Sequence, residues 1–174
     1  MIKKKLNWGL QRKSTWIRLS ILSMILISIS WGGWKTMLQM PGKSYQDALL
    51  PLTVEEQQLA QDLEVDVKKI ASEPHNFLAY DNLVQVALYL ESQLTRAGYQ
   101  VNHYKYMVDD QEFDNLEVEI PGTKKAEEII VIGAHYDSVA NVPGANDNGS
   151  GAAVVLALAR RFAGKSQQRT LRFV

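Results

Sequence analysis

His135 and Asp137 stand two residues apart at the end of the apolar run 129–134, and Asp147 follows twelve positions after His135 in the loop 144–151. These residue types and spacings suit metal chemistry. With no cysteine in the chain, imidazole and carboxylate are the donors left for a divalent ion such as zinc. If 129–134 is a strand, His135 and Asp137 project to the same side of the extended chain. One ring nitrogen of His135 is then available to a metal. Asp137 is placed to bind the other, which fixes the tautomer and raises basicity. Asp147 taken alone has a simpler reading, because an aspartate just before a helix often only caps it. The combination is far more specific than any one of the three.

The elements that must position these residues are legible around them. Residues 129–134 are apolar or small, β-branched at four positions, with no polar alternation. Such a run reads as a strand buried on both faces inside an α/β sheet, whose carboxyl end is where open sheets place ligands. The loop 144–151, Gly-Ala-Asn-Asp-Asn-Gly-Ser-Gly, is too rich in turn formers for regular structure, and Gly149 and Gly151 allow positive φ and close approach of backbone to a ligand. Residues 152–162 then read as an apolar helix, with Arg160 and Arg161 in its last turn and Gly164 as its stop.

The segments AHYDSV and PGANDNGSGAA, with this spacing, closely resemble the co-catalytic zinc aminopeptidases, the group that includes bacterial leucyl aminopeptidase and aminopeptidase Y. The resemblance extends upstream through the helix ending at Gly98, the NLEVEIPG strand and turn, and RTLRFV, so that it spans residues 42–174. It implies a three-layer α/β/α fold with a mixed sheet, zinc-exopeptidase-like (phosphorylase/hydrolase-like). It also implies two zinc ions and a peptide substrate. By the same resemblance His135 is a ligand of one zinc, Asp137 its catalytic supporting partner, and Asp147 the carboxylate bridging both ions. The family often has a cis peptide after that aspartate, here Asp147-Asn148. In relatives the strand begun by RTLRFV leads to two adjacent glutamates, then to a later acid and a histidine. No residues here match these, and Glu55-Glu56 and Glu127-Glu128 precede the His-x-Asp strand and cannot take the role by order. The expectation is a C-terminally incomplete front part of an enzyme, inactive alone.

The 174 residues, 46% apolar, are one domain's worth. Net charge is zero but unevenly spread: residues 1–46 hold eight basic and no acidic side chains, and the remainder holds eleven basic and nineteen acidic. Expected boundaries are a basic cytoplasmic tail over 1–18, a signal-anchor helix over 19–34, a linker over 35–50 and a peptidase domain over 51–174. The sixteen uncharged residues of the helix are short for a bilayer, but Arg18 and Lys35 can snorkel and Trp16, Trp31 and Trp34 suit the interfaces. The basic flank predicts an anchored protein with its peptidase domain exported. A cleaved secretory signal, cut near Ser28-Ile29-Ser30, is the alternative.

Within 51–174, Thr53 and Glu56 form a capping-box pair opening a helix to Ala71. His75, in the break Glu73-Pro74-His75-Asn76, reads as structural or exposed, with no partner at ligand spacing. A helix with Leu83, Val86, Leu90 and Leu94 on one stripe ends at Gly98, and strands follow over 99–108, with His103 outward, and 113–120. Pro121-Gly122 is expected to turn the second strand directly onto the buried one, while the strand after the last helix pairs parallel. Ser150 lacks the glycine two positions before it that a nucleophile elbow needs. No basic, aromatic-interleaved patch outside the tail points to nucleic acid. The alternatives to a peptidase are a noncatalytic peptidase-like binding module or a glutaminyl-cyclase-like enzyme.

Overall fold

A computed structural model describes residues 8–40 and 42–174, so part of the basic tail and Pro41 lie outside the described residues. The chain divides into two compact units, Met1–Leu50 and Pro51–Val174.

The first unit contains helix α1, Trp8–Gly33, continued by a π-helical turn, Trp34–Leu38. Ser14–Leu38, 25 residues, is long and apolar enough to cross a membrane. At a helical rise this is about 37 Å, against a hydrocarbon core of about 30 Å. The span exceeds the sixteen uncharged residues because the helix runs through Lys35, whose ammonium lies 6.0 Å from the Trp31 ring centre. Trp16 and Trp31, both exposed, are about 22 Å apart along such a helix. That separation suits two interfacial belts.

The second unit runs α2 (Val54–Ile70), α3 (Tyr80–Arg96), β1 (Asn102–Val108), β2 (Gln111–Ile120), β3 (Gly122–Ile132), α4 (Ser150–Phe162) and β4 (Gln167–Phe173). The capping box forms at the start of α2: Glu56 N–H donates to Thr53 Oγ1, and Thr53 N–H donates to the Glu56 carboxylate. Gly98 and Gly164, at φ +95 and +68, close α3 and α4.

The sheet is mixed, in order β1-β2-β4-β3. β1 and β2 are antiparallel, β2 and β4 antiparallel, and β3 and β4 parallel. This is the α/β class with a mixed sheet that the sequence implied. The expected direct β2-to-β3 pairing is corrected: β4 inserts between them. Ile70, Val86, Leu90, Leu94, Leu156 and Ala159 from the helices join Leu116, Val118, Leu171 and Phe173 from β2 and β4 in one cluster. The register pairs Val118 and Ile132 with Phe173, so these residues share the helix-covered face, while Glu119, Arg172 and Val131 share the other. The helical layer described here thus covers one face of the sheet. The run 129–134 is not buried on both faces: Ile129, Ile130 and Val131 are 46, 44 and 60% exposed, because the described helices cover one face only and β3 is the edge strand among the described residues.

A buried polar cluster ties the helices together. Asp66, 2% exposed, accepts from Arg160 Nη1 at 2.6 Å and Nη2 at 3.2 Å and from Tyr89 Oη at 2.6 Å, and Arg160 also donates to Gln93 at 2.6 Å. Burial, and then the Asp66 carboxylate, push the Tyr89 hydroxyl up to about 12.

Candidate metal centre

The β3–β4 ladder sets where the site begins. Val174 N–H donates to Ile132 O at 3.0 Å and Ala134 N–H to Val174 O at 3.1 Å, so pairing holds to Ala134 and His135 is the first residue past the sheet. His135 Nδ1 lies 3.1 Å from Asp137 Oδ1 and 3.2 Å from Asp137 O. Both are acceptors, so Nδ1 carries a hydrogen. Nε2 points the other way, 3.2 Å from Asp147 Oδ1. The three residues selected by spacing are therefore brought together, with His135 between two carboxylates.

Asp147 reaches this position through an irregular turn. Gly144 sits in the left-handed region, at φ 67 and ψ 30, and Asp147 and Asn148 interrupt the π-helical turn Ala145–Gly149 with non-helical torsions. The Asp147-Asn148 peptide is cis, as the family resemblance implied. The helix proper starts at Ser150 with Gly149 as N-cap and no side-chain cap bond, so Asp147 does not serve as the cap that local sequence allowed. The positive φ allowed at Gly149 or Gly151 falls instead on Gly144. Gly149 is helical, and at Gly151 a Cβ would meet the Asn148 side chain at 2.2 Å. Ser150 Oγ donates to Asn146 O, a structural bond within the turn.

Burial pulls the His135 pKa down, but the Asp137 carbonyl, the Asp137 carboxylate and the Asp147 carboxylate together hold it above the ordinary histidine value. The site opens on a cleft of about 1140 Å³ whose wall includes Tyr106, Phe113, His135, Tyr136, Asp137 and Asn148. Tyr136 donates to Asp114 O, and burial, followed by the nearby Asp114 charge, pushes its hydroxyl up to about 12.

The donor set fits zinc. His135 offers Nε2 once Nδ1–H is committed to Asp137, and Asp147 offers a carboxylate oxygen on the same side. Among the described residues no group of three or more histidine, cysteine or acidic side chains is placed to hold a metal ion. The other histidines stand apart. His103 is exposed but not outward as expected: it stands opposite Leu116 on the helix-covered face and bridges Asp114 and Glu91 of α3. His75 is structural and buried, 1% exposed.

Sequence reading missed the partners of His75. Ser138 N–H donates to His75 O at 2.8 Å, His75 N–H to Ser138 Oγ at 3.0 Å, and Asn76 Nδ2 to Val139 O at 3.2 Å. Only the Asn76 cap of the following turn, through Leu78 and Ala79 N–H, left a local signal.

Residues 115–174 match Peptidase family M28. The chain is 30% identical over 151 residues to a vacuolar membrane protease of Candida albicans, an alignment covering 79% of this chain and 18% of that protein. The chain thus spans less than a fifth of that relative's length. Among solved structures, an aminopeptidase from Aneurinibacillus sp. superposes with TM-score 0.59 at 13% identity, covering 66% of this chain and 61% of the other. A glutaminyl cyclase from Macrostomum lignano superposes with TM-score 0.55 at 21% identity, covering 75% and 43%. These two share the fold and differ in chemistry, so fold alone does not choose between them.

Proposed function

We propose that this chain, which is of the co-catalytic zinc aminopeptidase-like family, belongs to a membrane-anchored aminopeptidase that removes N-terminal residues from peptides. The match to Peptidase family M28 supports the peptidase class. The apolar span Ser14–Leu38, together with the vacuolar membrane protease relative, supports membrane anchoring. We assign 1–18 to a cytoplasmic tail, 19–34 to the anchor, 35–50 to a linker and 51–174 to the peptidase region on the exported side, following the basic flank.

The observation that carries the reading is His135, gripped at Nδ1 by Asp137 and facing Asp147 with Nε2. In this reading His135 and Asp147 hold zinc, and Asp137 keeps the imidazole in the tautomer that presents Nε2. A second ion would be held by the same Asp147 carboxylate, whose Oδ1 lies 3.2 Å from His135 Nε2. Bound zinc supplies Lewis acidity toward the scissile carbonyl and lowers the pKa of an attacking water. The cleft beside Tyr136 and Phe113 gives the peptide room to approach that edge of the sheet.

The test is hydrolysis by the full-length, zinc-loaded protein. Aminoacyl-p-nitroanilides are expected to be cleaved, N-acetylated counterparts to be spared, and Asp147→Asn to abolish turnover. Equal cleavage of blocked and free substrates removes the aminopeptidase assignment. Cyclisation of N-terminal glutamine without peptide cleavage would favour the glutaminyl-cyclase alternative instead.

A further inference from the structure

The loop Glu73-Pro74-His75-Asn76 is remote in sequence from the metal centre, yet it is bonded to the residue that follows Asp137. The peptide between Asp137 and Ser138 is held from both sides. Its carbonyl lies 3.2 Å from His135 Nδ1, and its N–H donates to His75 O at 2.8 Å. The loop that supplies this carbonyl is fixed in turn. His75 Nδ1–H donates to Glu73 O at 2.8 Å, His75 N–H donates to Ser138 Oγ at 3.0 Å, and Asn76 Nδ2 reaches Ser138 Oγ at 3.3 Å and Val139 O at 3.2 Å. His75, Asn76 and Ser138 are 1, 6 and 5% exposed, so these bonds are sheltered from competing water. Ser138 also packs toward the other arm of the site: a Cβ on Gly144 would lie 2.8 Å from Ser138 Cβ and 2.9 Å from Asp147 O. Ser138 thus touches the supports of both Asp137 and Asp147.

We propose that His75, Asn76 and Ser138 are positioning residues for the metal centre, and that they orient the His135 ring through the Asp137–Ser138 peptide. A peptide plane fixed at its N–H end presents its carbonyl to Nδ1–H in one direction, and this holds Nε2 toward Asp147. The inference rests on the reading of His135 as a ligand. Loss of an outer hydrogen-bond partner of a ligating histidine typically costs about 10–100-fold in metal affinity.

The test uses the full chain with its anchor, in detergent, with zinc itself as the probe by chelator competition. Ser138→Ala removes the Oγ that His75 and Asn76 bind. Asn76→Asp keeps the Oδ1 that caps Leu78 and Ala79 but loses both donations. Val118→Ala, in a wholly buried β2 position, is the control for general destabilisation. A second readout needs no metal. The chain has three histidines, so selective imidazole ¹⁵N labelling resolves each ring and reports whether His135 Nδ1–H is held. Both loop variants are expected to weaken zinc binding tenfold or more and to lose the protected His135 Nδ1–H signal, with Val118→Ala changing neither. Wild-type affinity and signal in both variants, or an equal loss in Val118→Ala, overturns the inference. If the wild type binds no zinc while the signal still depends on Ser138, the function proposed above fails and the positioning role stands.

Discussion

Replacing Gly144 by alanine tests how tightly the turn that delivers Asp147 is built. Gly144 has φ +67, so any L side chain there carries the left-handed penalty of about 1–2 kcal/mol. The added Cβ would also lie 2.8 Å from Ser138 Cβ and 2.9 Å from Asp147 O, inside any ordinary contact distance. One of these neighbours is backbone, so relief requires movement of the turn. Overpacking of this kind costs about 1–3 kcal/mol, which brings the total to about 2–5 kcal/mol. Gly98 provides the control: it too has positive φ, +95, but nothing lies within 4 Å of a built Cβ. Gly98→Ala should therefore cost only the conformational part. With about 4 °C of melting temperature per kcal/mol for a domain of this size, Gly144→Ala should melt at least several degrees below Gly98→Ala in thermal unfolding followed by circular dichroism. It should also bind zinc more weakly than Gly98→Ala. Equal melting temperatures for the two variants would refute the crowding argument.

Other expectations follow from the same structure. Asp66→Ala strips Arg160 and Tyr89 of a buried acceptor; breaking such a pair costs about 3–5 kcal/mol, and the lower end applies because Arg160 is 30% exposed and can rehydrate. The variant should melt about 10 °C lower in the same assay. At His103 the Asp114 hydrogen bond raises the pKa, against a smaller opposing effect of burial and with further help from Glu91. A raised folded pKa means that stability is fully present below the unfolded value and lost as pH rises through the folded one. His103→Gln should therefore reduce stability at pH 5.5 by about 0.2–1 kcal/mol and have little effect at pH 9, measured by urea unfolding. Zinc at one hundred times its dissociation constant should stabilise the wild type by about 2.7 kcal/mol, and Asp147→Asn should lose most of this gain.

How much was legible depended on the range of the interactions. The capping box at Thr53 and the glycine stops at Gly98 and Gly164 involve neighbours in the chain, and they formed where local chemistry placed them. The separation of His135, Asp137 and Asp147 was informative because a strand end and a helix start converge at one edge of the sheet. Burial was harder to read. Ile129, Ile130 and Val131 have the composition of a doubly covered strand, but composition shows which residues favour burial and not which element covers them. The insertion of β4 between β2 and β3 likewise depends on a crossover through α4, which the turn at Gly122 does not reveal. The His75–Ser138 bonds join residues 63 apart, and His75 in isolation carries no mark of that partner. The left-handed torsion lies at Gly144, before Asp147 and against Ser138, and the local run of glycines does not distinguish that position from Gly149.

The most direct measurement is an anomalous-difference map at the zinc edge from crystals of the full-length protein. It should show a peak within about 2.0–2.2 Å of both His135 Nε2 and an Asp147 carboxylate oxygen, with Asp137 still bonded to Nδ1. Zinc bound elsewhere, with His135 and Asp147 contacting only each other, would contradict the assignment of this edge of the sheet as the metal centre.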